Sequence, residues 1–200
     1  MPRQVDYDER RRRIADAVCA LIAASGMEAV SLRDVAARAR VSMGAVQRCF
    51  RTKDEMLLFA VEHVADRVGA RAKARVAAEA EPRSASALLE RTLCAIALPD
   101  PEDRTDAQVW LAFVAHAAVS APLAAVLRET YTQLHDLLVW LIGYGQDTGE
   151  FHADADAADE ARALLALADG LTAHVVVGHH TPDAAHALLR RHAARLRAAP

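Results

Sequence analysis

Two hundred residues, 53% of them hydrophobic, suffice to bury a core in one domain or two and exclude a disordered chain. No apolar run reaches ~18 residues free of charge, and no cleavage pattern follows the charged N-terminus. Neither a membrane span nor export is expected, and the chain is read as cytoplasmic. The net charge of −3 argues against a general nucleic-acid binder, but it is unevenly spread. Residues 1–56 carry 11 Lys+Arg against 8 Asp+Glu, and residues 57–200 carry 13 against 19, a basic end on an acidic body.

Abundant alanine, few Gly (8) and Pro (7) and short β-branched runs predict an all-α fold of about nine helices. The first helix is expected over Asp6–Ser25, with Ile14, Ala17, Val18, Leu21 and Ile22 on one face and Gly26 as its stop. Ser31, with Asp34 three residues on, opens a second whose apolar face is Leu32, Val35 and Ala36. Arg40-Val41 makes a turn, and Ser42 caps a third helix carrying Val46 and Phe50. Thr52 and Glu55 form a second capping box, starting a long helix over Lys53–Ala77. A hinge is expected just before the polar, Pro82-containing stretch Glu79–Ser86. Further helices follow at about Ser84–Leu98, Asp103–Val119, a long one with Pro122 in its first turn reaching Asp147, Ala157–Val177 and Asp183–Leu196.

Two short helices joined by a tight turn are the outline of a helix-turn-helix, whose second helix enters the DNA major groove. Met43, Gly44 and Ala45 lie in that helix, and the small Gly44 and Ala45 allow close approach. Ser42, Gln47 and Arg48 supply polar contacts. The chain has no Asn, so Gln47 is the one carboxamide there, suited to a bidentate contact to adenine, and Arg48 suits guanine or phosphate. Ser31, Arg33, Thr52 and Lys53 stand at helix starts, where side chains and backbone N–H groups hold phosphate together.

The stretch SLRDVAARARVSMGAVQRCFRTKDEML resembles the DNA-binding region of the TetR family of one-component bacterial regulators. Val41, Ser42, Gly44, Phe50, Lys53, Glu55 and Leu57 fit the family pattern. Gln47 stands where a phosphate-touching Tyr is common and Cys49 where a His is common. The motif covers the first 60 residues, and the rest matches in architecture only. The resemblance implies a DNA-binding domain over 1–56 and a ligand-binding and dimerisation domain over 57–200. It further implies a dimeric repressor on a palindromic operator, released by a small molecule.

Leu164, Leu165, Leu167, Ala168, Leu171 and Val175 make one apolar stripe, and Leu188, Leu189 and Leu196, with His192 beside them, a second. Internal core is the default reading of such stripes. A two-fold operator needs a paired protein, however, and Leu164, Leu167, Leu171, Val175, Leu188, Leu189 and His192 are the candidates. The middle helices hold most of the aromatics. Trp110, Phe113, His116, Tyr131, His135, Trp140 and Tyr144 are the candidate effector site, able to hold a cation or an anion.

Enzymatic readings find little support. No Glu has His three residues later, as di-iron bundles require, and no nucleophile elbow, P-loop or strand-borne dinucleotide fingerprint occurs. Cys19, Cys49 and Cys94 form no CxxC and read as reduced thiols. His174, His179 and His180 lie close in sequence, but adjacent His179 and His180 point apart in regular structure, so neither a metal site nor a cofactor is expected. The expected partners are double-stranded operator DNA, an effector and a second copy, with no membrane. The competing reading is a helical protein-interaction module whose helix-turn-helix does not function.

Overall fold

The computed structural model describes residues 2–77, 84–97 and 100–198. Their order is α1 (Pro2–Ser25), α2 (Leu32–Arg38), α3 (Met43–Cys49), α4 (Lys53–Ala77), α5 (Ala85–Ala97), α6 (Arg104–Ala117), α7 (Ala121–Asp147), α8 (Ala157–Val176) and α9 (Pro182–Ala193), with single 3₁₀ turns at Pro101–Asp103 and Ala194–Leu196. The expected all-α class holds among these residues. Extended pairing is confined to one antiparallel bridge between Phe151 and Arg197. No described helix is long and apolar enough to cross a membrane. Most of the hinge expected before Glu79 lies outside the described residues.

The chain divides into two compact units: residues 1–67 with 108–127, and 68–107 with 128–200. The boundary expected at 56/57 falls inside the first unit, four residues into α4, and the chain passes from the first unit to the second further along that same helix, at 67/68.

In the first unit α1, α2 and α3 pack on one another. Seven-residue helices such as α2 and α3 are far too short to persist alone, so burial must hold them. Val35, Val46 and Phe50 are buried with Ile14 and Val18 of α1. Each is worth about 1.5–3 kcal/mol, against about 1 kcal/mol for a good cap. Packing therefore holds these helices and the caps fix where they begin. Ser31 Oγ accepts from the Asp34 N–H at 3.2 Å, and Ser42 Oγ accepts from that of Ala45 at 3.1 Å. Thr52 Oγ1 accepts from the Glu55 N–H at 3.0 Å, while the Glu55 carboxylate accepts from the Arg51 N–H at 2.8 Å.

The second unit has its own core. Leu89 and Leu93 of α5, Leu138 and Ile142 of α7, Leu164, Ala168 and Leu171 of α8, and Leu189 of α9 form one buried cluster. Polar ties close it at the edges. The Glu150 carboxylate accepts from the Ala85 and Ser86 N–H groups at 2.8 and 3.2 Å, capping α5 from 65 residues away in sequence. Thr172 Oγ1 donates to the Ala97 carbonyl at 2.6 Å. His186 of α9 lies between Cys94 Sγ, 3.2 Å from Nδ1, and Asp100 Oδ1, 2.8 Å from Nε2, joining α9 to α5 and the turn after it.

The end of α7 is set by one close approach. The Phe151 N–H donates to the Gly145 carbonyl at 3.0 Å, Gly149 takes φ +75°, and the buried Phe151 ring lies over Gly145. A Cβ at 145 would meet that ring at 2.1 Å. Gly145→Ala should therefore lower stability by about 1–3 kcal/mol, the range for overpacking, in urea unfolding. Stability equal to the parent would show that Phe151 is free to move aside.

Candidate functional site

The α2–α3 turn sets the site. Arg40 adopts φ +55°, unusual for a side-chain-bearing residue, and the Val41 N–H donates back to the Ala36 carbonyl at 3.0 Å. This reversal brings Ala45, Val46 and Cys49 inward and leaves Ser42, Met43, Gln47 and Arg48 on one exposed face of α3. Ser31, Arg33 and Thr52 are exposed and Lys53 half-buried. Ala45 departs from expectation. It is buried, because the helical period puts it one position from Val46 on the inward side, and its side chain is not available to a groove. Gly44 is half-buried, and a Cβ there would meet only the Arg48 guanidinium, at 3.6 Å.

Behind this face, Arg11 of α1 lies against three aromatic rings, 4.2 Å from the Phe59 centroid, 4.8 Å from Phe50 and 6.0 Å from Tyr7. Its buried Nε meets no hydrogen-bond acceptor among the described residues. The rings thus face a cation that joins α1 to the end of α3 and the start of α4. Asp16 adds a second tie, with His63 Nε2 at 2.8 Å and Arg67 at 3.1 Å. Neither role was anticipated, although Tyr7 and Arg11 stand at i, i+4 spacing, a readable signal. Cys49 is buried, and that burial pushes its thiol up. The charges of Arg10, Arg11 and Arg48 pull it partly back.

The candidate effector residues are drawn from both units. Trp110, Phe113 and His116 belong to the first unit, and Tyr131, His135, Trp140 and Tyr144 to the second. Trp110 and Phe113 are buried. Tyr131 is half-buried and donates to the Asp169 carboxylate at 2.6 Å, a partner with no sequence signal at that separation. His135 lies 3.3 Å from the Ala158 carbonyl. Trp140 and Tyr144 are both exposed. They stack on each other at 5.9 Å on the surface, 62% and 39% exposed, beside Leu137. The reason is that α7 is apolar on two sides, and the opposite side supplies Leu138, Leu141 and Ile142 to the core.

Of the candidate pairing residues, Leu164, Leu171 and Leu189 are filled by the chain's own core. Leu167, Val175, Leu188 and His192 are half-buried. Leu164, Leu167 and His192 also line an open groove of about 600 Å³, with Glu160, Asp154 and Arg195 among its other residues. The histidine expectation fails geometrically. The rings of His174, His179 and His180 converge, with centroids 4.6–5.2 Å apart, because the chain between them leaves regular structure.

A helical DNA-reading head joined to a larger helical unit defines a class of bacterial regulators. Residues 14–61 match the family described as bacterial regulatory proteins, tetR family, and residues 85–198 match the one described as BetI-type transcriptional repressor, C-terminal. The HTH-type transcriptional regulator PksA of Bacillus subtilis is 31% identical over 88% of this chain and 83% of its own length. The regulator BetI of Burkholderia ambifaria is 30% identical over 86% and 84%. Among solved structures, a transcriptional regulator from Rhodococcus sp. Rha1 aligns with a TM-score of 0.79 at 31% identity, covering 93% of this chain and 95% of that one. One from Saccharomonospora viridis in complex with choline aligns at 0.81 and 27%, covering 92% and 95%. The chain belongs to the TetR family and is a DNA-binding transcriptional regulator.

The raised thiol of Cys49 has a direct consequence. Alkylation needs the thiolate, so a raised pKa leaves less of it at neutral pH, and burial blocks access besides. In the native protein at pH 7.5, iodoacetamide should label Cys49 far more slowly than the half-buried Cys94, and faster as pH rises, read by peptide mass mapping. Labelling of Cys49 at the rate of a small-molecule thiol would contradict this packing.

Proposed function

We propose that this regulator is a cytoplasmic repressor that binds a palindromic operator as a homodimer and is released by a small molecule. The observation that carries the reading is the outward face of α3: Ser42, Met43, Gln47 and Arg48 exposed around Gly44, on a helix fixed by its buried side. Gln47 reads a base, and Arg48 a base or phosphate, while Ser31, Arg33, Thr52 and Lys53 hold the backbone in register. The BetI-type repressor match to residues 85–198 supports repression as the sign of control.

For the effector, the chemistry favours an organic cation. Tyr131 and Asp169 put an aromatic ring and a carboxylate side by side in the second unit, a pairing suited to a quaternary ammonium, and the S. viridis neighbour was solved with choline. The second copy covers the α8–α9 side, where Leu167, Leu188 and His192 are half-buried and the charged residues Glu160 and Arg195 accompany the groove. Effector binding shifts the population of α4 positions. This helix contributes residues to both units, so the two recognition helices of a dimer lose the ~34 Å spacing of successive major grooves.

Fluorescence anisotropy on the DNA upstream of the protein's own gene tests the reading. Specific binding should weaken steeply with salt, by contact with several phosphates, and choline should release it. Gln47→Ala should cost about 1–3 kcal/mol on the operator and little on unrelated DNA. Gly44→Ala fits the free protein and favours helix by about 1 kcal/mol, so it should keep or raise Tm while weakening DNA binding. Sequence-blind binding there and in a random-sequence selection would leave the interaction-module reading instead.

In sedimentation at micromolar concentration the parent should be a dimer. Leu167→Glu should give a monomer with its helical circular dichroism retained, and Trp140→Glu should remain dimeric. Dissociation by Trp140→Glu alone would move the interface to the exposed α7 stripe.

A further inference from the structure

The three histidines at the end of α8 are brought together by a defined backbone device. Gly178 adopts φ +77°, its N–H donates to the Val175 carbonyl at 3.0 Å, and the His179 N–H donates to the His174 carbonyl at 2.8 Å. This pair of bonds is the Schellman motif, which stacks the second residue past the helix cap on the residue five before it. That contact is usually apolar, whereas here both positions are histidine. The His180 N–H donates to the same His174 carbonyl at 3.2 Å, bringing a third imidazole to the same side. The ring centroids lie 5.0 Å (174–179), 5.2 Å (174–180) and 4.6 Å (179–180) apart, and one ligand nitrogen from each ring falls within 4.8 Å of the others.

We propose that His174, His179 and His180 form a site for a late first-row divalent ion: Zn²⁺, Ni²⁺ or Cu²⁺. Three neutral imidazoles are the ligand set these borderline ions prefer over Mg²⁺ or Ca²⁺, which want oxygen. Tetrahedral Zn²⁺ with Zn–N of about 2.0–2.1 Å places its ligand nitrogens about 3.3 Å apart. His174 and His179 are both exposed, so the site requires their side chains to rotate to close the remaining distance. The fourth position is left to water. The location suits a cation further, because the carbonyl end of a helix carries partial negative charge. Arg104 donates to the Val176 carbonyl at 3.2 Å and is the positive charge that a bound ion must tolerate there. Bound metal would brace the last turn of α8 against the segment entering α9, and would stabilise the folded state by mass action.

The experiment titrates the full-length protein, without an affinity tag, with Zn²⁺ in competition with a chromophoric chelator. His174→Ala, His179→Ala and His180→Ala are compared with Cys94→Ser, which removes the thiol next to His186. One ion per chain is expected in the parent and in Cys94→Ser. Each histidine variant should bind at least tenfold more weakly, since loss of even an outer-shell partner costs 10–100-fold. Thermal unfolding gives a second readout: Zn²⁺ should raise the parent's Tm and leave that of the triple alanine variant unchanged, while the two proteins without metal unfold alike. Co²⁺ should give the intense visible absorption of tetrahedral nitrogen coordination. Binding unaffected by the histidine variants, or abolished by Cys94→Ser, would overturn the assignment.

Discussion

Every functional feature of the N-terminal unit depends on burying one side of two helices too short to exist alone. Val35, Ala36, Ala45, Val46 and Phe50 are inward because the chain reverses at Arg40 in a left-handed conformation, and α1 supplies the surface they close on. Once that side is committed, the helical period leaves Gln47 and Arg48 outward. The outward set proposed to meet DNA is therefore a by-product of core packing. A change at Phe50 or Arg11 would reach it without touching DNA, since the Arg11 guanidinium lies against the Phe50 and Phe59 rings at the α3–α4 junction.

The C-terminal unit solves a different problem. Its helices are long enough to persist with packing, and its polar work lies at their ends. Glu150 caps α5 from a distant segment, Asp156 and Thr181 cap α8 and α9 locally, and Gly149 and Gly178 terminate α7 and α8 in positive φ. These ends are where side chains of different helices meet. The Cys94–His186–Asp100 chain arises at such a place, and the histidine trio where α8 gives way to the turn that follows it.

Local signals proved legible. The Ser31, Ser42 and Thr52 caps act over three residues, and the helix-turn-helix follows from them and from the small Gly44. What proved misleading was apolar content read without knowing which side the core takes. In α7 the aromatic Trp140 and Tyr144 stack on the exposed side, because Leu138, Leu141 and Ile142 claim the interior. Leu164, Leu171 and Leu189 had the right pattern for pairing, but they fill their own unit's core.

By itself, then, the sequence determined the helices, their ends and the helix-turn-helix, because caps, turns and 3.6-residue periodicity act between neighbours in the chain. Only the tertiary structure decided which apolar side of α7 is buried, that Tyr131 meets Asp169 across 38 residues, and that His174, His179 and His180 share one side of a turn. The first two are settled by competition among several elements for one core. The third depends on a left-handed glycine, whose backbone path carries the chain out of the regular geometry from which spacing arguments are made.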